Sequence, residues 1–451
     1  MTLITRRTFG KLAVVAGISS AGTLSMPSIA SAEPGARIVI IGGGPGGATV
    51  AVQLKQAAPD LQITLIDSRP VHTTCFNSNL YLGGFQTFSS LVHGFEGLKA
   101  LGIRVIVETA TEIDTAKKQV KFARGRAQPY DRLILSPGIA LKYDAIEGYS
   151  KEAAEIMPHA WQAGAQTQLL KRQLAAMNNG GTVVIAAPAL PYRCPPAPYE
   201  RACMIAHYLK THKPKSKIIL LDAKRSFSKQ AVFEEAFSTL YKGKIELVLT
   251  DEIDDNSVVR VDTDTREVFT KSGRRFKADV ANIIPPQRAG DIAASAGCTD
   301  GDWCPVKLDS FKSSKVDDVY VLGDAAIASD MPKSAFSANS QGIVVAADIL
   351  ADVAGKPRTS ARYLNTCWSM LGPADSVKIG ATYTPGSKDG KPGLIASDPF
   401  ISKTSETVEL RRQTYLEGAA WYDSFTKQIY PRLAEEPAEP AEARTRKRRR
   451  R

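Results

Sequence analysis

The sequence predicts an α/β protein with two dinucleotide-binding-type domains and a C-terminal α+β module. Three observations carry this reading. Residues 36–69 spell a complete strand–helix–strand unit around a glycine-rich turn. A second strand–helix–strand pattern opens with "GGTVVIAAPA" (180–189) and lacks those glycines. After about residue 358 the alternation stops, and strand-like stretches closed by one amphipathic helix take over.

In the first unit the strand "RIVII" runs into Gly42, Gly44 and Gly47 in G-x-G-x-x-G register. A helix follows through "ATVAVQLKQ", and a second strand, "QITLID", ends on Asp67. The glycines give a tight turn, close approach of backbone to a pyrophosphate, and close helix–strand packing. The helix N-terminus then turns its partial positive charge to the phosphates. Asp67 stands about 20 residues past the last glycine, where a carboxylate can bond ribose hydroxyls. A lone glycine motif says little. One set in strand, helix, strand and terminal acid is specific.

Two later pieces fit the same plan. "YDRLILSPG" (130–138) is a strand ending in a small-residue turn. "VDDVYVLGDAA" (316–326) is a strand ending on Gly323 and Asp324, and an aspartate there can accept from the ribityl hydroxyls of a flavin. Together these resemble the flavoproteins of the glutathione reductase type. That resemblance implies FAD, bound by a discontinuous domain of residues 33–147 and 289–358. A second nucleotide-like domain, 148–288, is inserted between the two parts.

The insert departs from the pattern at its first turn. "AAPALPYRCPPAPYERA" (186–202) puts five prolines and Cys194 where a phosphate-binding turn would carry glycines. Proline fixes φ and has no N–H to donate, so the loop is a poor cradle for a second pyrophosphate. This argues against a nicotinamide-dependent reductase.

Three cysteines fall near the expected flavin. Cys75, in "HTTCFNSNLYLGG", follows Asp67 closely and is placed to form a thioether with the flavin's 8α-methyl carbon. The plainer reading is a buried, inert cysteine. Cys194, and Cys304 in "GDWCPV", both flank strands that point at the flavin. A disulfide between them is either redox-active or a structural staple of an exported protein. Glu200, six residues past Cys194, is a candidate acid/base in the same pocket. Cys203, Cys298 and Cys367 carry no assignment from the sequence.

Composition narrows the classes further. The 451 residues are too many for one compact domain. No apolar run reaches the ~20 residues that a bilayer span needs. Six cysteines without a C-x-x-C leave neither a zinc ribbon nor a covalently attached haem on this chain. Of the net charge of +12, residues 1–32 carry +3 and the last 18 residues +3, which leaves a mildly basic body and no nucleic-acid signature. Arg6 and Arg7, a mild apolar stretch and "ASA" (30–32) resemble a twin-arginine export signal over residues 1–32. The simpler alternatives are an ordinary secretory signal or a basic N-terminus followed by a short helix. The twin-arginine reading predicts a periplasmic protein in a compartment where disulfides persist. Residues 434–451 read as a disordered basic tail.

The stretches "TTCFNSNLYLGG", "PYRCPPAPYERA", "DWCPV", "VLGDAAIASDMPKSAFSANSQG" and "YLNTCWSMLGP" resemble the flavoprotein subunit of flavocytochrome c sulfide dehydrogenase. The resemblance covers essentially the whole mature length, and the proline-rich cysteine loop is its most specific part. It implies FAD held covalently through Cys75, a redox-active disulfide on Cys194 and Cys304, and proton handling by Glu200. It further implies a small sulfur substrate and a c-type cytochrome partner that carries the haem. On the same resemblance the C-terminal module, 359–433, is expected to cover the flavin and meet the cytochrome. Lys333, in "MPKSAF", is a candidate for stabilising negative charge on the reduced flavin. Two competing readings stand beside this one. A sulfide:quinone oxidoreductase would need a quinone pocket and a membrane-binding C-terminus, and the final helix here is half polar. A non-catalytic thiol–disulfide accessory of a sulfur-oxidising complex would fit the absence of haem on this chain.

Overall fold

The computed structural model describes residues 35–388 and 390–432. The expected export signal and basic tail lie outside these residues.

Five parallel strands form the first sheet. Their spatial order is Val319–Val321, Arg132–Leu135, Arg37–Ile41, Gln62–Asp67 and Arg104–Val107. Ile38, Val39 and Ile40 of the central strand are fully buried, as they must be in a parallel sheet covered on both faces. The helix Pro45–Ala57 opens straight off the glycine turn, with proline in its first turn, where a missing N–H costs nothing. It begins inside the glycine motif rather than after it, so the motif's own N–H groups are the exposed donors of the helix N-terminus. The long helix Ala335–Val353 packs against it, and Asn339 Nδ2 donates to Thr49 Oγ1 at 2.8 Å.

The chain leaves this sheet through Ile139–Leu141 and returns through Gln287–Ala289, and the two segments pair antiparallel. Between them stands a second parallel sheet, in the order Ile245–Val248, Lys217–Asp222, Thr182–Ala187 and Val280–Ile283. The proline loop follows Thr182–Ala187 and feeds the helix Ala197–His212.

The C-terminal module is an antiparallel meander, Tyr363–Gly372, Asp375–Lys388 and Lys391–Ile401, followed by the helix Val408–Ile429. Thr407 caps that helix by accepting from Leu410 N at 3.2 Å. Trp421 stacks on Phe425, Phe336 and Trp368, which ties the helix both to the meander and to the first domain. Tyr422 Oη lies 2.9 Å from Thr74 Oγ1, and Tyr430 Oη donates to Gly43 O at 2.9 Å, so the module closes over the glycine turn. Among the described residues no helix is long and apolar enough to cross a membrane. The fold class is the one the sequence predicts.

Candidate active site

The glycine turn is built as its sequence requires. Gly42 has φ +102°, and a Cβ there would stand 2.2 Å from Ser136 O. A Cβ on Gly47 would stand 2.0 Å from Gly42 O. Neither position admits another residue. Gly44 faces the imidazole of His72, whose two ring nitrogens are buried without hydrogen-bond partners. Asp67 accepts from Gly43 N at 2.8 Å and Arg69 N at 3.0 Å. At the far strand Gly323 N donates to Gln341 Oε1 at 2.7 Å. Asp324 Oδ1 is buried with no partner, and Arg193 lies 3.9 Å from Oδ2. Burial lifts the Asp324 carboxyl above its ordinary value, against the pull of Arg193 and Lys333. An orphaned buried acceptor, orphaned imidazole nitrogens and a backbone cradle fit a bound dinucleotide with hydroxyls and phosphates to offer.

A pocket of about 170 Å³ lies beside this cradle. One wall is Cys75–Leu80. The second is the proline loop with the first turn of its helix, bringing Arg193, Cys194 and Glu200. The third is Thr366–Trp368 of the meander, and Trp421 closes it. Cys194 sits at φ 57°, a left-handed conformation that costs a non-glycine residue about 1–3 kcal/mol. Cys194 N donates to Lys333 O at 2.8 Å, Arg193 N to Gln287 Oε1 at 2.9 Å, and Cys194 O accepts from Ala197 N at 2.9 Å. The prolines leave this loop few donors, and those it has are spent on holding Cys194 in place.

Glu200 is fixed between two elements. Asn79 Nδ2 donates to Oε2 at 2.8 Å and Met370 N to Oε1 at 2.9 Å. Burial still raises its carboxyl above the usual carboxylate range, because the cost of desolvating the charge outweighs those donors. Burial also raises the Cys194 thiol, followed by the nearby charges of Cys367, Glu200 and Cys75.

The structure does not bring Cys304, the expected partner of Cys194, into this pocket wall. Cys304 is fully buried. Its backbone bridges Ala326, donating to Ala325 O at 3.0 Å and accepting from Ile327 N at 2.8 Å. That register holds it in the core, where burial, with Cys298 next in effect, pushes its thiol up to about 12. The thiol that shares the pocket with Cys194, Cys75 and Glu200 is Cys367, at the middle of the first meander strand. All six cysteines are unbonded thiols in this structure. Lys333 lies beside the pocket rather than in it. Its ammonium donates to Asp324 O and Ala326 O, each at 2.8 Å, and sits 3.8 Å from the Trp303 ring centroid. Burial lowers its pKa to about 8.

Residues 167–285 match the family model "Sulfide dehydrogenase [flavocytochrome c] flavoprotein chain, central", and residues 359–430 match "Flavocytochrome c sulphide dehydrogenase, flavin-binding". The chain carries two domains of the flavocytochrome c sulfide dehydrogenase flavoprotein. This bears out the resemblance read from the sequence. The flavoprotein is also similar to curated proteins. The sulfide-quinone reductase of Aquifex aeolicus is 31% identical over 192 residues, 40% of this chain and 41% of that protein's length. The mitochondrial sulfide:quinone oxidoreductase of Dictyostelium discoideum is 22% identical over 71% of this chain and 72% of its own. The solved sulfide:quinone oxidoreductase of Aquifex aeolicus shares the fold, with a TM-score of 0.69 at 20% identity over 88% of this chain and 91% of that one.

Sequence reasoning passed over two buried cations of the flavoprotein. Lys229 is 3% exposed, and its Nζ donates to Cys367 O at 3.1 Å and Ser369 Oγ at 2.7 Å. Burial lowers its pKa to about 8, against the pull of Cys367, Glu200 and Cys194 toward the charged form. Arg201 is 2% exposed and donates to Asn79, Asn282 and the carbonyls of His159 and Ala160. No local pattern marks either one, because each is buried only by tertiary contacts. In the inserted domain Asp222 ends a strand where a nucleotide ribose is held in this architecture. Here it is fully buried, and Tyr199 Oη and Lys224 Nζ each donate to it at 2.5 Å.

Proposed function

We propose that the flavoprotein oxidises hydrosulfide to polysulfide or elemental sulfur, through a redox disulfide of Cys194 and Cys367 and a bound FAD. The observation that carries this reading is two thiols from different elements on one pocket, with half-buried Glu200 in its wall and buried Lys229 bonded to the Cys367 backbone. The FAD would be held by the glycine turn, Asp67, Gly323 and Asp324, and through a thioether by Cys75. When bound, it supplies a two-electron acceptor beside the disulfide. The chain's own residues do the rest. Arg193 gives the pocket wall a positive charge suited to an anionic substrate. Glu200, its acidity lowered by burial, holds or releases a proton near the sulfur atoms. The proline loop and the occupied carboxylate of Asp222 support a sulfur compound as reductant rather than a nicotinamide. We propose further that the chain is exported by its paired-arginine segment and passes electrons to a c-type cytochrome through the C-terminal module.

Anaerobic titration of the FAD-loaded protein tests the core of this. Sulfide is expected to bleach the flavin absorbance while NADH leaves it unchanged; no response to sulfide would overturn the assignment. For Cys75→Ser the expected result is flavin that acid precipitation releases into the supernatant, where the wild type keeps its colour in the pellet.

The curated relatives favour one second reading, in which the acceptor is a quinone. Comparing reoxidation of the bleached flavin by a soluble quinone and by a c-type cytochrome decides between the two.

A further inference from the structure

Cys367 lines a second cavity as well. This one, about 420 Å³, lies on the other side of the proline loop's Pro195 and Pro196 and is walled by Ile379, Ala381 and Tyr383 of the meander. Its rim is Ala396, Pro399, Phe400 and Ile401, all exposed, so it opens to solvent. The two cavities that meet at Cys367 differ in character. The first carries Arg193, Glu200 and Arg201 in its wall. The second has no Lys or Arg in its lining, and its one carboxylate is Asp330. Such a wall disfavours a small anion like hydrosulfide and suits a neutral, polarisable chain.

We propose that this second cavity binds the sulfane-sulfur chain that grows on Cys367. The proposal rests on the disulfide chemistry above. Hydrosulfide entering from the cationic side attacks the Cys367 sulfur. A new S–S bond forms a Cys367 persulfide that keeps the proton, and the old bond breaks to leave the Cys194 thiolate. That thiolate and the persulfide then join as a trisulfide, and two electrons and the proton leave to the flavin, the oxidant. A second hydrosulfide attacks the central sulfur of the trisulfide and returns the Cys194 thiolate, so Cys367 now carries two extra sulfur atoms. The lengthening chain needs apolar space on the Cys367 side, and the second cavity supplies it. Release needs no oxidant: the Cys194 thiolate attacks the Cys367 sulfur, remakes the disulfide, and the chain departs as a polysulfide anion.

The test uses the FAD-loaded full chain and sodium sulfide, with alkylation and mass analysis of the cysteine peptides after successive substoichiometric additions, each followed by reoxidation. Ala396→Trp and Pro399→Trp each narrow the rim at an exposed position. In the wild type the Cys367 peptide is expected to carry a ladder of added sulfur atoms. In both variants the ladder should stop at one added sulfur, while the first bleaching of the flavin proceeds as in the wild type. Equal ladders in all three proteins, or a ladder on the Cys194 peptide, would overturn the site while leaving sulfide oxidation standing. Failure of sulfide to bleach the wild type would overturn both.

Discussion

Cys194→Ser and Cys367→Ser are each expected to abolish sulfide-driven bleaching of the flavin, with a loss on the order of 10³-fold or more in its rate, because removing either partner of a disulfide leaves hydrosulfide no S–S bond to attack. The flavin itself should stay bound, since neither residue belongs to the glycine turn or to the strand end that carries Asp324. Cys304→Ser is the informative control. Cys304 is held in the core by its bridge to Ala326, away from the pocket wall. Its loss removes one buried sulfur and is expected to lower stability modestly while leaving the first bleaching at the wild-type rate. Stopped-flow absorbance under anaerobic conditions reads all three variants. A Cys304→Ser protein that no longer bleaches, beside a Cys367→Ser protein that does, would restore the pairing read from the sequence and remove Cys367 from the chemistry.

The reason the sequence points to Cys304 while the pocket holds Cys367 is physical. The glycine turn, Asp67 and Asp324 were legible because each depends on a local pattern: strand, turn and helix in fixed order. Cys194 was legible for the same reason, since a proline-framed cysteine after a strand is a local anomaly. Which thiol faces it is a tertiary matter. Cys304 lies close in sequence to the "VLGDAA" strand end, and that proximity suggested a place near the flavin. In the fold its parallel bridge to Ala326 turns it into the core. Cys367 lies in a separate module, and only the packing of that module onto the helix Ala197–His212 brings it to Cys194. The same holds for Lys229, which reads in "SFSKQ" as an ordinary surface lysine. Its burial comes from Cys367 and Ser369, roughly 140 residues further on. Glu200 shows the intermediate case. Its distance from Cys194 could be counted, but its two donors, Asn79 and Met370, come from different modules and give no sign in the sequence.

Lys229 sets the second large effect, and its sign follows from burial. Desolvation lowers its pKa to about 8, so its ammonium is charged below that pH and loses its charge above it. While charged, it favours the Cys194 thiolate that hydrosulfide attack releases, against the burial that pushes that thiol up. An opposite charge at such a site is worth about 1–3 pKa units, so Lys229→Met is expected to slow sulfide-driven bleaching about tenfold or more at pH 7. The loss should shrink as pH rises through 8, because the wild type then surrenders the same charge. A purely structural role predicts something else. Lys229 also ties Cys367 O and Ser369 Oγ, and if those bonds were all that mattered, Lys229→Met would slow the reaction by the same factor at every pH. Bleaching rates of both proteins from pH 6 to 9.5 separate the two. A ratio that closes above pH 8 assigns the lysine an electrostatic part in the disulfide chemistry, and a constant ratio leaves it as a strut of the meander.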